Sequence, residues 1–281
     1  FLNCSALTHL TIGSSVVKIG NDAFDCRGLL EINVNPENRS YTSIAGILYT
    51  KDKSKLLMCP KRKEGEVSVP NSVTIIDSRA FDHCIELTGV IIPNSVTAIG
   101  DYAFSSCESL VNLTIPNSVT TIGKGAFSLC RGLTEINIPN SVTTIGSRAF
   151  YGCWGLESLN IPNSIIAVGD SVFCNCRGLT NLNIPNSVVE IGNYAFSGCR
   201  GLTKIVIPNS VIKIGEDAFS NCRNLISINI PNSVIMIHET AFWGCHALEA
   251  IYCQWINPIE YSPEYICLLY TSPSPRDISG S

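Results

Sequence analysis

Cysteine is the residue type with the most obvious chemical potential in this chain. The 281 residues include 14 cysteines and only 4 histidines. Metal ligands that recur at long intervals, with no C-x-x-C pair, do not make the compact set that a zinc site needs. We therefore interpret most of these thiols as free, buried and stacked in parallel, an orientation that is poor for disulfide bonding. They recur every 23 residues at Cys84, Cys107, Cys130, Cys153, Cys176, Cys199, Cys222 and Cys245.

Arginine often follows the cysteine directly. It does so at Arg27, Arg131, Arg177, Arg200 and Arg223, and the last three lie in consecutive intervals. Guanidinium groups held in register could bind carboxylates or sulfates through paired hydrogen bonds. Duplication of a repeat would also copy an exposed arginine that binds nothing, so both interpretations stay open. We select Arg177, Arg200 and Arg223 as candidate partner-binding residues.

Asparagine forms a second polar column. It occupies one equivalent position at Asn33, Asn137, Asn160, Asn183 and Asn229, with Thr114 between the first two. An amide side chain offers both donors and acceptors to a glycan or a peptide. Stacked asparagines would also hydrogen-bond one another and keep an exposed sheet soluble. Asn137, Asn160, Asn183 and Asn229 are the remaining candidate partner-binding residues.

Three aromatic residues, Tyr151, Trp154 and Trp243, form a third group near the same cysteines. Exposed aromatic side chains mark contact sites in some proteins and ordinary surface in others. No Ser-His-Asp arrangement, carboxylate pair or glycine-rich phosphate loop is recognisable. We predict a non-enzymatic protein without a cofactor or a metal.

A repeated 23-residue unit must position all these residues. Its consensus is I-P-N-S-V-T-x-I-G-x-x-A-F-x-x-C-x-x-L-x-x-I-x-I. The alternation in L-x-x-I-x-I predicts a short strand, and the β-branched segment 141–145 predicts a second strand. Gly146 is expected to turn the chain with a positive φ, and Ala149, Phe150 and Cys153 have the spacing of one helical turn. Such a unit buries its apolar side only by stacking on its neighbours, which predicts a solenoid.

The unit resembles the BspA-like leucine-rich repeat in its period, in its I-P-x-S-V-T-x-I-G start and in its A-F-x-x-C-x-x-L centre, over residues 1 to about 266. The resemblance implies an α/β leucine-rich-repeat solenoid of about ten coils, each with short strands and a helical turn. The family occurs in surface proteins of bacteria and of some parasitic protists. It thus implies a cell-surface or secreted module that binds an extracellular protein or glycan in adhesion. A surface spacer without a specific ligand is the alternative.

The period is interrupted once, between N-terminal repeats (1–34) and the regular solenoid (70–266). In the intervening insertion, 35–69, two apolar segments flank the turn 51–54 and predict a β-hairpin, as in similar inserts of the family. The insertion carries seven of the 19 Lys and Arg against four acids. This excess of positive charge fits either an anionic partner or a solvated hairpin.

Composition and the two ends complete the prediction. A net charge of −4 gives no general reason to expect nucleic-acid binding, and no apolar run is long enough to predict a membrane span. Phe1 lies inside a repeat, so a signal peptide could precede it. Residues 267–277 match a translated sequencing adapter, so 267–281 are predicted to be non-native and unpacked.

Overall fold

A computed structural model describes residues 1, 4–20 and 23–253. The chain winds so that segments one repeat apart pair as parallel strands, and most coils contribute one strand to each of two ladders. The predicted tail, 267–281, and the end of the predicted solenoid lie outside the described residues.

The first ladder is formed by the L-x-x-I-x-I segments. It comprises four separate sheets, with orders β1-β2, β6-β8-β10, β12-β14-β16 and β18-β20-β22. Its strands are β1 (His9–Ile12), β2 (Glu31–Val34), β6 (Gly65–Ser68), β8 (Leu87–Ile91), β10 (Asn112–Leu113), β12 (Glu135–Asn137), β14 (Ser158–Asn160), β16 (Asn181–Asn183), β18 (Lys204–Val206), β20 (Ser227–Ile230) and β22 (Ala250–Cys253).

The second ladder follows the P-N-S turn of each coil. It consists of two sheets, β5-β7-β9-β11-β13 and β15-β17-β19-β21, and β4 and β3 extend the first of them at the β5 edge. Its strands are β5 (Lys55–Met58), β7 (Ile75–Ile76), β9 (Ala98–Ile99), β11 (Thr121–Ile122), β13 (Thr144–Ile145), β15 (Ala167–Val168), β17 (Glu190–Ile191), β19 (Lys213–Ile214) and β21 (Met236–Ile237).

The insertion contains the predicted hairpin. Strand β4 (Ile47–Thr50) pairs antiparallel with β5 around residues 51–54. A further strand, β3 (Tyr41–Ile44), pairs antiparallel with β4 through a two-residue turn whose residues, Ala45 and Gly46, have φ of 50° and 76°. Strands β5 and β6 pair in parallel with β7 and β8, so the second half of the insertion enters both ladders.

The segment between the second strand and the cysteine is not a helical turn. No helix occurs in the described residues, so the expected helical turns and the α/β class are not confirmed. Tyr102 and Ser106 both take left-handed conformations, with φ of 55° and 57°, which a right-handed helix excludes. Phe104 N donates to Ala126 O of the next coil at 2.7 Å, whereas Ser105 N bonds locally to Tyr102 O at 3.0 Å. The fold is a leucine-rich-repeat solenoid built from strands and turns.

The glycine that follows the second-ladder strand in most coils allows neighbouring coils to approach closely. Gly146 does not take the positive φ that we expected. In the same column, a Cβ added to Gly123 would lie 2.6 Å from Asp101 N of the preceding coil. Real Cβ atoms do not approach a backbone nitrogen so closely, so glycine here lets successive turns pack in contact.

Phenylalanine and cysteine columns fill the interior. The rings from Phe81 to Phe242 stack in an unbroken series, with centroids 4.8–5.5 Å apart and interplanar angles of 2–12°. The 12 cysteines from Cys4 to Cys245 are free. Beyond packing as small hydrophobes, the inward thiols donate hydrogen bonds, as Cys107 Sγ does to Phe81 O of the preceding coil at 3.0 Å. The thiol thus links successive coils at the phenylalanine carbonyl.

Candidate functional site

The outward side of the first ladder carries the predicted asparagines. Asn137, Asn160 and Asn183 occupy paired positions on β12, β14 and β16, and all three are exposed. Side chains alternate across a strand, so the neighbouring Ile136 and Leu159 point into the core, with 6% and 4% of their surface exposed. The structure therefore brings three of the four predicted asparagines into one row.

The fourth predicted asparagine, Asn229, belongs to the next sheet. Val206, 67% exposed, occupies the position between it and the row, and Tyr252 follows it on β22. Within the row, Asn183 Nδ2 donates to Asn160 Oδ1 at 2.9 Å. This bond uses one donor and one acceptor of the pair, and an amide has two N–H groups and a carbonyl with two lone pairs. The remaining N–H groups and carbonyl lone pairs of the two amides can therefore hydrogen-bond to a ligand.

Two open hollows lie on this face, each at an interruption of the first ladder. One has a volume of about 500 Å³ and reaches from β10 across the break to β12, β14 and β16. Its polar lining includes Thr114, Glu135 and the row Asn137, Asn160 and Asn183. The other hollow, of about 610 Å³, spans the break between β16 and β18 and is shared by Asn183 and Asn229. The openings thus form where neighbouring strands cease to pair.

Sequence reasoning missed the asparagines of the I-P-N-S turns. Asn163, Asn186 and Asn209 are exposed and line the second hollow beside the strand asparagines. Their regular recurrence after proline was visible, but the P-N pair was interpreted only as a turn signal. Asn140 Oδ1 accepts from Asn163 N at 3.2 Å, so this column also links adjacent coils.

The arginines after the cysteines form one column with a tryptophan. Trp154 occupies the equivalent position between Arg131 and Arg177, whose Cζ atoms lie 4.2 and 4.5 Å from its ring. Because these arginines belong to the preceding and the following coil, they cover the two faces of the indole in a cation–π sandwich. Arg131 also pairs with Glu108 at 3.3 Å. We call Arg131, Arg177, Arg200 and Arg223 the arginine column.

The cations of the insertion are mostly engaged in internal contacts. Lys61 pairs with Asp25, and this hydrogen bond lowers the pKa of the Asp25 carboxyl. Arg62 pairs with Glu86 at 3.3 Å, and Lys63 donates to a backbone carbonyl at 2.8 Å. These contacts support a structural role for the positive charge of the insertion over an anionic partner.

The buried thiols are poor nucleophiles. Burial raises the pKa of Cys153 to about 12 and that of Cys130 well above its ordinary value, so both are protonated donors at neutral pH. Among the described residues, no group of three or more His, Cys, Asp or Glu side chains could hold a metal ion. No helix in the same part of the chain is long and apolar enough to cross a membrane.

Parallel coils, continuous apolar columns and an open polar strand face define a leucine-rich-repeat solenoid of the short-period type. The chain belongs to the BspA type leucine rich repeat family, whose model matches in six copies over residues 1–49, 61–180 and 166–267. No curated protein sequence matches the chain.

Several solved structures of bacterial proteins are similar to this chain. A leucine-rich repeat protein from Eubacterium ventriosum ATCC 27560 is 28% identical, with a TM-score of 0.64 over 90% of this chain and 62% of its own. A leucine rich cell surface protein from Faecalibacterium prausnitzii A2-165 is 27% identical, with a TM-score of 0.44 over 88% and 79%. The pneumococcal vaccine antigen PcpA is 22% identical, with a TM-score of 0.47 over 88% and 51%. The chain thus spans 62% of the length of the E. ventriosum protein.

Proposed function

We propose that this chain is the binding module of a cell-surface or secreted protein, and that it contacts an extracellular protein or glycan through the polar side of the first ladder. Adhesion to host or neighbouring cells is the biological role that fits such a module. One observation carries the proposal: three exposed asparagines, Asn137, Asn160 and Asn183, stand in register along an open hollow of about 500 Å³.

The hollow is suited to recognition because its polar groups are held by paired strands. Register fixes the spacing of the amides, so a ligand that matches them loses little entropy in ordering the protein. Extended faces of this kind serve as binding surfaces in solenoid proteins. Membership of the BspA type family supports the surface location. The proposal assigns no chemical reaction to the chain.

A structural spacer without a specific ligand is the second candidate. The hydrogen bond from Asn183 to Asn160 favours it, because amides that satisfy one another keep a sheet face soluble without any partner. The spacer predicts that the asparagine row affects stability and solubility alone.

An array of extracellular matrix proteins and glycans, probed with the purified chain, separates the two candidates. The double variant Asn160→Ala/Asn183→Ala removes the centre of the row, and Asn94→Ala, an exposed turn asparagine outside both hollows, is the matched control. Loss of two hydrogen bonds predicts affinity lower by about tenfold or more, with the control unchanged. Absence of any bound component, or equal binding by all three proteins, would refute the proposed surface and leave the spacer.

A further inference from the structure

The residue that precedes each second-ladder strand from β7 to β21 changes its chemical type halfway along the solenoid. It is threonine in the four coils before the break between β13 and β15, and an aliphatic residue in the four coils after it. The threonine hydroxyls donate to carbonyls of the preceding coil, as Thr120 Oγ1 does to Thr97 O at 3.3 Å. The aliphatic side chains have no such donor, and each leaves 40–71% of its surface exposed. We call them the aliphatic stripe, which consists of Ile166, Val189, Ile212 and Ile235.

The backbone holds the aliphatic stripe in register. Val189 N donates to Ile166 O at 2.8 Å, and Ile212 N donates to Val189 O at 2.9 Å. Ile235 N donates to Ile212 O at 3.0 Å. Coils in this part of the stack are 5.4–5.5 Å apart between phenylalanine rings, so the four side chains span about 16 Å. Single exposed apolar residues are normal on a protein surface, whereas a contiguous apolar patch marks a contact surface.

The next residue of each coil is the first residue of its strand and flanks the aliphatic stripe. The two charged members of this flanking row form an ion pair, with Lys213 Nζ 2.7 Å from Glu190 Oε1, and both side chains remain partly exposed. The row therefore has one base and one acid in its middle, with a small and a long apolar side chain at its ends. In register, its members are Ala167, Glu190, Lys213 and Met236.

This arrangement is complementary to itself. A two-fold axis that runs parallel to the strands, between β17 and β19, reverses the order of the coils in a partner. The two aliphatic stripes then face each other, and Glu190 lies opposite the partner's Lys213. At the ends of the row, the short side chain of Ala167 lies opposite the long side chain of the partner's Met236. The ion pairs of the two copies combine into a ring of four charges of alternating sign.

We propose that the aliphatic stripe and its flanking row bind a second copy of this chain, in a two-fold dimer whose solenoid axes run in opposite directions. Acids in the turns that follow the strands, among them Asp170 and Glu239, limit the contact to these two rows. Two rows of four residues bury less than the roughly 1,200 Å² of total surface that a stable complex needs. The dimer is therefore weak and forms at high local concentration.

The dimer is independent of the proposed binding function. The asparagine row lies on the first ladder and the aliphatic stripe on the second. Either proposal can therefore fail while the other stands, because the variants that test them change different ladders.

Mixing two charge-reversal variants tests the arrangement. Glu190→Lys gives the middle of the flanking row two positive charges, and Lys213→Glu gives it two negative charges. Each variant alone brings four like charges together in its dimer and should lose at least about tenfold in self-association. In an equimolar mixture every acid again faces a base of the other protein, so association should return to about the level of the parent chain. An ion pair that acts only within one chain is lost in both variants and gains nothing from mixing.

Sedimentation equilibrium of the full chain, from about 1 µM to about 1 mM, measures the association. Val189→Thr/Ile212→Thr introduces the residue that the equivalent positions of the earlier coils carry. It should weaken association at least about tenfold, because each replaced side chain occurs twice in the dimer. The control Ile91→Thr/Ile226→Thr changes two aliphatic residues that are 52% and 49% exposed away from the second ladder, and should associate like the parent chain. Circular dichroism verifies that each variant is folded.

Three results would overturn the inference. The first is a monomer at every concentration, which would leave the aliphatic stripe without a second copy as its partner. The second is equal association of the stripe variant and its control. The third is a mixture of the two charge variants that associates no better than either variant alone.

Discussion

Replacing Phe127 by alanine is the sharpest test of how the solenoid holds together. Its ring is fully buried and stacks on Phe104 at 5.2 Å and on Phe150 at 5.3 Å. Truncation of a buried phenylalanine costs about 3–5 kcal/mol, and a stacked pair contributes roughly 0.5–1.5 kcal/mol beyond burial. With two partners lost, Phe127→Ala should fall in the upper part of that range, at about 4–5 kcal/mol.

Phe242 provides a matched comparison within the same column. It is 8% exposed and has a single ring neighbour among the described residues, Phe219 at 5.5 Å. Phe242→Ala loses one stacked pair and a partly covered ring, and we expect a cost of about 2–3 kcal/mol. The difference between the losses of unfolding free energy in the two variants measures the stabilisation that a ring contributes when it is stacked on both faces.

Urea unfolding followed by far-ultraviolet circular dichroism gives both values. Repeat arrays are coupled through nearest neighbours, so a defect in mid-array should also split the transition into two. Phe242→Ala should keep a single transition, and Phe127→Leu should recover part of the loss. Equal costs for Phe127→Ala and Phe242→Ala, or costs below about 1 kcal/mol for both, would refute the argument that stacking between coils stabilises the array.

Three further predictions concern thiols, charge and a buried amide. Under native conditions iodoacetamide should modify the exposed Cys4 and spare Cys130, whose pKa is raised by burial; mass spectrometry should find Cys130 modified only after denaturation. The hydrogen bond from Lys61 lowers the pKa of Asp25 below its model-compound value of 3.8. Its stabilising effect is therefore present above that pH and is lost as the pH falls through the folded-state pKa. Lys61→Met should lower the thermal midpoint at neutral pH but not in strong acid, and a pH-independent difference would contradict this. Asn38 is fully buried and makes four side-chain hydrogen bonds. Asn38→Ala should therefore lower the free energy of unfolding in urea by about 2–4 kcal/mol, and a loss below about 1 kcal/mol would contradict this prediction.

The 23-residue period was enough to predict the columns and the solenoid, because every equivalent residue has the same environment in a repeat array. It was not enough to predict the turn segment. Ala149, Phe150 and Cys153 have helical spacing, but the left-handed residues around them set the backbone instead. Glycine at Gly152 and asparagine at Asn175, both with positive φ, were the available signal.

The candidate site was predictable in part. Register alone placed Asn137 and Asn160 together, and it also assigns Trp154 to the arginine column, although residue type suggested a separate group. The interruptions of the ladders were not predictable. Coils with nearly the same motif pair in one place and separate in another, so the motif alone does not determine where the breaks fall.

These breaks have a mechanical consequence. The first ladder is interrupted between β10 and β12 and between β16 and β18, whereas the second is interrupted between β13 and β15. Wherever one ladder is interrupted between these coils, the other ladder still joins them, and the phenylalanine stack crosses every one of these junctions. Between β7 and β21, tension along the axis is therefore carried by at least one strand ladder together with the aromatic stack. Under load such a rod flexes at staggered joints, alternately on one side and the other, before any coil separates from the next.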